Sequence, residues 1–404
     1  MVPCNKVSVG RKSITRRDFL QKTGAVLASW QVSRAMADAT ESRRPNVIVI
    51  VADDLGYGQL SCYPHLLDVH TPNIDRIATT GLRMTDGYAA DGMCWPSRGS
   101  ILTGRYHQRW GSRANVPAKE RMLGSYLRQA GYTTGCIGKW HNTGSIGEWD
   151  GKPENHPFGR GFDEFFGFLG GMHDYIDWDL GTHWKGGRNR PHYMPIYDGK
   201  QRVEGTGYLT DVFTQKAVDF VDRNKDEPFL LYLSYNAIHT PLQAPAECLK
   251  RFNDGKTSRD LWRAMLYATD RGIGSILDAL EGLRLRENTM VWFIGDNGGY
   301  PVDPSESVNW RFKGRKGTFY EGGIRIPWLV SWPGVLPQGR DYTESVMHID
   351  VLPTILAAAG AREGNISAVD GTNLLPYWTG KKPAPPHEAL FFGHPRRSSF
   401  AVRC

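Results

Sequence analysis

The residues best suited to chemistry lie in one short stretch, Cys94-Trp95-Pro96-Ser97-Arg98-Gly99-Ser100-Ile101-Leu102-Thr103-Gly104-Arg105. Pro96 suits the first turn of a helix and Gly104 suits its end, so the stretch predicts a short helix beginning near Cys94. A helix start favours an anion, and Arg98 follows one turn later on the same face. A soft nucleophile beside a guanidinium and free backbone N–H groups suits a tetrahedral oxyanion. The alternative is an ordinary helix with a buried, inert cysteine.

Two pairs of oxygen donors each follow a buried apolar run: Asp53-Asp54 after residues 46–52, and Asp296-Asn297 after residues 289–295. Adjacent carboxylates repel each other unless a cation lies between them. A set of oxygen ligands alone favours a hard cation, Ca²⁺ or Mg²⁺, over zinc. The alternative is a pair of solvated turns, which Asp-Asn-Gly sequences commonly form.

Basic residues also follow predicted strands. Lys139 and His141 stand two residues apart after the strand predicted at residues 131–137, so on extended backbone their side chains would point the same way. His239 follows the strand predicted at residues 229–235. Taken singly, each of these residues would by default be structural.

The elements that must position these residues are predicted from apolar patterns. Continuous apolar runs predict strands at residues 46–52, 131–137, 229–235, 289–295 and 326–330. Apolar residues at helical spacing predict helices at residues 74–78, 122–130, 208–224 and 261–283. The short helix from Cys94 is expected to reach residue 102, and another helix is expected at residues 348–359. Buried strands that alternate with helices indicate an α/β fold with a large, mostly parallel central sheet. Because such sheets bind ligands beyond the carboxyl ends of their strands, we expect the polar residues to meet at one edge.

The basic charge of the chain is concentrated at its start. The 404 residues carry a formal charge of +7, and residues 1–37 hold seven Lys or Arg and one acid, a net +6. The remainder has 42 basic and 41 acidic residues, which argues against a nucleic-acid partner. Residues 15–20 form a twin-arginine pattern, an apolar stretch spans residues 23–32, and Ala35-Met36-Ala37 provides a cleavage site.

We therefore expect a twin-arginine-type signal peptide over residues 1–37 and a mature protein that is periplasmic or secreted. The alternative is a disordered basic tail. The apolar stretch is too short to span a bilayer, and no later run reaches the length needed, so we expect no stable membrane span. With six cysteines and no metal-type spacing, one disulfide could form but cannot be assigned.

Taken together, the motifs resemble the type I, formylglycine-dependent sulfatases, a family of the alkaline phosphatase superfamily that includes the arylsulfatases. The stretch from Cys94 to Arg105 matches the C-x-P-S-R-x-x-x-L-T-G-R signature at every fixed position. The resemblance covers roughly residues 45–400 and extends to five further motifs: Asp53-Asp54-Leu55-Gly56-Tyr57-Gly58, Gly138-Lys139-Trp140-His141, the N-A-x-H-T-P-L pattern from Asn236, Asp296-Asn297-Gly298-Gly299, and K-G-T-x-Y-E-G-G from Lys316.

The resemblance implies an alkaline-phosphatase-like α/β sandwich and a sulfuric ester hydrolase. It implies that a separate maturation enzyme converts Cys94 to Cα-formylglycine (3-oxoalanine), whose hydrate is the nucleophile. It implies a divalent metal, Ca²⁺ or else Mg²⁺, held by Asp53, Asp54, Cys94, Asp296 and Asn297. Arg98, Lys139 and Lys316 would then hold the hydrate and the sulfuryl group. His239, with Lys316, would protonate the leaving oxygen, and His141 would take a proton from the second hydroxyl to expel sulfate.

Loop-rich residues 142–205 contain candidates for a substrate pocket, namely His173, Asp174, His183 and Trp184, which could equally anchor loops. The Trp- and Tyr-rich composition suits sugar faces, so a sulfated carbohydrate or an aryl sulfate is the expected substrate. We expect a catalytic domain over residues 38–365 and the start of a small antiparallel C-terminal subdomain over residues 366–404, with strands at residues 389–392 and 399–403 and an apparent truncation.

Two other functions stay open at this point. A phosphate or phosphonate ester hydrolase of the same superfamily would share the signature around Cys94. A non-catalytic binder of sulfated glycans would result if Cys94 stayed a thiol. The twin-arginine export machinery and the maturation enzyme are the expected protein partners.

Overall fold

A ten-stranded mixed sheet forms the centre of the molecule, which was determined as a computed structural model. The structure describes residues 44–64, 70–111, 115–142, 149–179, 194–301, 308–361, 369–393 and 399–404. Its fourteen strands are β1 (Asn46–Ala52), β2 (Leu82–Met84), β3 (Gly87–Tyr88), β4 (Thr133–Lys139), β5 (Glu164–Phe168), β6 (Ile196–Asp198), β7 (Gln201–Val203), β8 (Phe229–Ser234), β9 (Thr289–Gly295), β10 (Trp328–Ser331), β11 (Arg340–Tyr342), β12 (Val346–Met347), β13 (Leu390–Gly393) and β14 (Phe400–Arg403). The sheet order is β11-β2-β10-β9-β1-β8-β4-β5-β6-β7.

The middle of the sheet is parallel, as the apolar runs predicted. β1 pairs in parallel with both β8 and β9, and β4 pairs in parallel with β8 and β5. Every residue of β1 is buried, because helices cover both faces of a parallel sheet. The register places Val51 opposite Ser234 and Ala52 opposite Gly295. The residues that follow β1, β8 and β9 therefore emerge side by side.

Nine α-helices flank the sheet in the part of the chain that the structure describes. They are α1 (Pro72–Thr79), α2 (Cys94–Thr103), α3 (Leu123–Gln129), α4 (Leu209–Arg223), α5 (Ala246–Leu249), α6 (Ser258–Gly282), α7 (Glu321–Ile324), α8 (Val351–Ala358) and α9 (Leu375–Trp378). Short 3₁₀ turns occupy Tyr57–Gln59, His107–Trp110, Pro153–Asn155, Pro157–Arg160, Asn253–Gly255, Arg286–Asn288 and His348–Asp350. The apolar faces of α4 and α6 pack on one side of the sheet, while α2, α3 and α8 contribute to the core of the other.

Local sequence explains where the helices begin and end. Thr257 caps α6, because its hydroxyl accepts the backbone N–H of Asp260 at 3.1 Å and the Asp260 side chain binds back. Gly104 ends α2 with φ of 63°, a left-handed conformation that glycine adopts without steric cost. The predicted end of the signature helix is thus confirmed.

Some predicted boundaries were wrong. The second strand begins at Thr133 and not at Gly131, which lies in a turn with φ of 79°, and it continues through Lys139. The helix predicted at residues 348–359 begins as a 3₁₀ turn before α8. The strand predicted at residues 326–330 is β10, and it runs antiparallel to β9. The short strands β5, β6 and β7 extend the sheet through a region that the sequence had indicated only as loop.

The two strands predicted near the C-terminus form an antiparallel hairpin, with Leu390 opposite Arg403. The boundary predicted at residues 365/366 lies outside the described residues, as does the leader in residues 1–37. Cys62, Cys94, Cys136, Cys248 and Cys404 are free thiols. None of the described helices combines the length and apolar character required to cross a bilayer.

Candidate active site

Four adjacent parallel strands, in the order β9-β1-β8-β4, deliver polar side chains to one edge of the sheet. Asp53 and Asp54 follow β1, Asp296 follows β9, and Ser234 and Lys139 are the last residues of β8 and β4. The side chains of Asp53, Lys139 and Asp296 are completely buried. Residues distant in the sequence therefore meet where the sheet leaves its apolar core, as the strand-end argument predicted.

The start of α2 brings Cys94 to the same edge, with only 4% of the residue exposed. Arg98 lies one turn further and is fully buried. Its Nε donates to Asp296 Oδ2 at 2.8 Å, its Nη1 donates to the Ser234 hydroxyl, and its Nη2 lies 3.6 Å from Asp53 Oδ1. Arg98 thus joins α2 to three strand ends and offsets the charge of two carboxylates.

Each of the two aspartates after β1 forms an ion pair with a lysine. Lys139 Nζ donates to Asp53 Oδ2. Lys316 Nζ lies 2.6 and 2.8 Å from the two carboxylate oxygens of Asp54. Asn297 Nδ2 donates to Asp54 Oδ1 at 2.9 Å. The sequence could not pair these groups, because each pair joins residues more than 80 positions apart.

The donor set fits a divalent cation. One ligand atom from each of Asp53, Asp54, Cys94 and His239 lies within 4.8 Å of all the others. Asp53 Oδ1 and Asn297 Oδ1 are buried and have no hydrogen-bond partner among the described residues. Buried acceptors rarely remain unsatisfied, and carboxylate and amide oxygens are the ligands that Ca²⁺ and Mg²⁺ prefer. This set brings in His239, which was not among the predicted metal ligands.

Burial and neighbouring charges displace the pKa values of the acidic groups in opposite directions. Burial raises the pKa of Asp53, but Lys139, His239 and Arg98 outweigh it and hold that pKa below its usual value. Burial and the nearby Asp53 raise the pKa of Asp296. Burial raises the pKa of the Cys94 thiol to about 11, so the unmodified thiol is a poor nucleophile at neutral pH.

The two histidines lie at the more open side of the cluster. His239 Nδ1 lies 2.7 Å from Thr240 O, which fixes the ring, and its Nε2 lies 3.6 Å from Asp54 Oδ2. His141 has a positive φ of 45°, so the extended backbone predicted to align it with Lys139 ends before it. Burial and the charges of Lys139, Arg98 and Lys316 hold the pKa of His141 well below its ordinary value. Its ring is therefore neutral at physiological pH.

Comparison with known proteins identifies the family. The model of the sulfatase family matches residues 45–361. The chain belongs to the sulfatase family. It is 33% identical over 404 residues to the uncharacterized sulfatase YdeN of Escherichia coli K12, covering 86% of this chain and 68% of that protein. It is 33% identical over 364 residues to human N-acetylgalactosamine-6-sulfatase, covering 82% of this chain and 65% of that enzyme.

The structural neighbours agree with this family. The crystal structure of Ps i-CgsB in complex with k-i-k-neocarrahexaose matches the sulfatase with a TM-score of 0.79 and 37% identity, over 89% of this chain and 82% of that one. The phosphonate monoester hydrolase of Agrobacterium radiobacter matches with a TM-score of 0.61 and 19% identity, which shows a shared fold. The sulfatase therefore has the alkaline-phosphatase-like fold, and it is a hydrolase of sulfate esters.

Two residues of the sulfatase site were missed in the sequence. Ser234 accepts from Arg98 Nη1 and donates to Lys139 O at 2.6 Å, so one hydroxyl joins the Arg98 guanidinium to the backbone at the end of β4. Its position as the last residue of β8 was the available signal. His348 is fully buried, and its Nδ1 accepts the Ala90 N–H at 3.3 Å while its Nε2 donates to Gly295 O at 2.9 Å. It thereby links the segment before α2 to the residue before Asp296.

The pocket candidates of residues 142–205 have a structural role where they are described. His173 is buried, and its ring nitrogens each lie 2.7 Å from the backbone carbonyls of Asp174 and Met194. The Asp174 carboxylate accepts from the backbone of the following turn and from Gln243 Nε2 at 2.8 Å. Both therefore fit the loop-anchor alternative. His183 and Trp184 lie outside the described residues. A cavity of about 260 Å³ between β5, β6 and α4 is lined by none of the site residues.

Proposed function

We propose that this sulfatase removes sulfate from a sulfated carbohydrate through Cys94 matured to Cα-formylglycine. The observation that carries the proposal is the meeting of α2, four strand ends and the segment of Lys316, which together bring three carboxylates and three cations around residue 94. A thiol with a pKa near 11 is a weak nucleophile, whereas the hydrated aldehyde at that position would supply a hydroxyl.

Asp53, Asp54, Asp296 and Asn297 would hold Ca²⁺ or Mg²⁺ beside residue 94, and the unpartnered oxygens of Asp53 and Asn297 support this assignment. When bound, the ion would act as a Lewis acid that lowers the pKa of a hydroxyl and neutralises sulfuryl oxygens. Calcium is the proposed ion because the set is rich in carboxylates.

Three basic side chains of the protein would also stabilise the negative charge that develops on the sulfuryl group. Arg98 and Lys139 are fully buried and hold the carboxylates around residue 94 in place. The Lys316 side chain is 12% exposed, so it can contact both Asp54 and an entering sulfuryl group. Fixed donors aimed at developing charge are commonly worth about 3 kcal/mol each in transition-state stabilisation.

The two histidines would transfer protons in different steps, His239 when the alcohol leaves and His141 when sulfate is released. His239 Nε2 faces Asp54 and lies beside the Lys316 ammonium group, so the protonated form of the ring would give its Nε2 proton to the leaving alcohol oxygen. Burial lowers the pKa of His239, which makes the protonated ring a stronger acid. His141 is neutral and its Nδ1 has no hydrogen-bond partner among the described residues, which suits a base that takes the proton from residue 94 as sulfate leaves.

A carbohydrate substrate is favoured by the relatives. Human N-acetylgalactosamine-6-sulfatase is named for a sugar, and Ps i-CgsB was crystallised with a neocarrahexaose. Human steryl-sulfatase, 29% identical, is named for a different substrate class, so an aryl sulfate such as 4-nitrophenyl sulfate is a suitable general assay. We further propose that a twin-arginine signal exports the chain to the periplasm or beyond, and that a separate enzyme matures Cys94.

The proposal is tested by mass spectrometry of the Cys94 peptide together with kinetics. We expect active enzyme to carry the aldehyde, and Cys94→Ala to lose turnover while keeping the wild-type circular dichroism and melting temperature. Wild-type rates from the alanine variant would remove the nucleophile assignment. Faster turnover of 4-nitrophenyl phosphate than of the matching sulfate would favour phosphoester hydrolysis instead.

A further inference from the structure

The segment that carries Lys316 into the site also presents a basic outer surface. Lys316 N donates to Gly299 O at 3.3 Å and Gly317 N donates to Gly92 O at 2.6 Å, so the segment is fixed to the loops after β9 and before α2. Arg311, Lys313 and Arg315 are exposed on it. No carboxylate in the described ranges forms an ion pair with any of these three cations.

Two of these cations lie over exposed aromatic rings. The Arg315 guanidinium lies 5.3 Å from the centre of the Tyr300 ring, and Lys313 Nζ lies 4.3 Å from the centre of the Tyr320 ring. Tyr300 is 46% exposed and Tyr320 is 53% exposed, which is unusual for side chains of this size. We call these four residues the rim pairs. Stacking restrains each cation, so less side-chain entropy is lost when it binds a ligand.

The rim pairs lie on the two chain segments that hold Lys316 in place. Arg315 is the neighbour of Lys316, and Tyr300 follows Gly299, whose carbonyl accepts the Lys316 N–H. A chain-like substrate with one sulfate against Lys316 would therefore reach the rim pairs with its neighbouring units.

The chemistry of the rim pairs fits a sulfated sugar. An aromatic ring packs on the apolar face of a pyranose, and a guanidinium binds a sulfate or carboxylate group through two parallel hydrogen bonds. A substrate with a single sulfate would be held by the buried site alone and would leave the rim cations without a partner. Additional sulfates on adjacent sugars would give those cations partners.

We propose that the rim pairs, Tyr300–Arg315 and Tyr320–Lys313, bind further sulfate groups of the same saccharide chain, so that the preferred substrate is an oligosaccharide that carries several sulfates. This inference rests on the proposed function, since it deepens the choice of substrate. It adds a binding site outside the residues that perform the chemistry.

Binding to the full-length Cys94→Ala variant tests the inference, because no turnover interferes. Calorimetry would compare a multiply sulfated carrageenan hexasaccharide and a heparin hexasaccharide with the monosulfated probe galactose 4-sulfate. We expect Arg315→Ala with Lys313→Ala to raise the Kd of at least one hexasaccharide about tenfold or more, and to reduce its dependence on salt. Tyr300→Ala should weaken the same hexasaccharide, while Tyr300→Phe keeps the ring and most of the affinity.

Arg251→Ala is the matched control, because Arg251 lies 4.7 Å from the centre of the Tyr267 ring on α6, in the helical layer. It should leave every Kd unchanged. The inference is overturned if neither hexasaccharide binds, if the rim variants bind both as the parent does, or if they weaken galactose 4-sulfate equally. A matured wild-type enzyme that hydrolyses no sulfate ester, yet binds a hexasaccharide through the rim pairs, would refute the proposed function and leave the rim site standing.

Discussion

Replacement of His348 gives a quantitative test of how the site is supported. The ring accepts the Ala90 N–H on Nδ1 and donates from Nε2 to Gly295 O, so it is neutral with one fixed tautomer. A second proton on Nδ1 would face the Ala90 N–H inside the core. Burial accordingly lowers the pKa of His348 to about 4, against an ordinary value of 6.5.

The consequence for stability has a definite sign. The unfolded chain takes up the proton at higher pH than the folded chain, so the contribution is complete above pH 6.5 and is lost as the pH falls towards 4. At about 1.4 kcal/mol per pH unit, the full difference corresponds to about 3 kcal/mol, of which about 2 kcal/mol is lost between pH 8 and pH 5.

The assay is urea denaturation of the wild type and of His348→Gln at pH 8, 6.5 and 5. The glutamine amide can still donate to Gly295 O but does not titrate. We expect the variant to lose about 2 kcal/mol less free energy of unfolding than the wild type between pH 8 and pH 5. His70→Gln, at an exposed position, is the control and should follow the wild type. Equal losses in His348→Gln and the wild type would refute the account of a buried neutral ring.

Three further predictions concern the proposed catalytic site and its packing. Ser234→Ala removes the hydroxyl that positions Arg98 and the end of β4. We expect kcat to fall roughly tenfold or more, while the circular dichroism spectrum stays unchanged. An unaltered kcat would show that the hydroxyl is dispensable. Gly99→Ala places a methyl group against the Trp110 ring and 2.6 Å from Val116 Cγ2. Calorimetry should therefore show a loss of about 1–3 kcal/mol in the free energy of unfolding. No loss would mean that the ring can shift. Chelation should lower the melting temperature, because a bound cation relieves repulsion among buried carboxylates. Ca²⁺ at 100 times its Kd should restore about 2.7 kcal/mol of free energy of unfolding. A melting curve that changes with neither chelator nor Ca²⁺ would contradict the metal assignment.

The sequence predicted the parts of this site that follow from strand ends. β1 and β9 are continuous apolar runs, so Asp53 and Asp296 could be expected at one edge of the sheet, and the structure places both there. The sequence also predicted both ends of α2, its start from Pro96 and its end from Gly104, because helix-terminal preferences act locally.

What could not be predicted depends on contacts between distant segments. The pairing of Lys139 with Asp53 and of Lys316 with Asp54 needs the strand order, which no local pattern specifies. His348 looks like any helix-start histidine until Ala90 and Gly295 are placed on either side of it. The short strands β5 to β7 carry too few residues for a clear alternation, and only the pairing of β5 with β4, of β6 with β5 and of β7 with β6 defines them.

The assembly of the site from distant segments has a kinetic consequence. Lys139 and Asp53 are 86 positions apart, and Asn297 and Asp54 are 243 positions apart. Closing such long loops costs entropy before any contact repays it, so sheets of this topology fold slowly. The like charges around residue 94 come together only once β1, β8 and β9 are in register, and until then the segment holding Cys94 would remain accessible to a modifying enzyme.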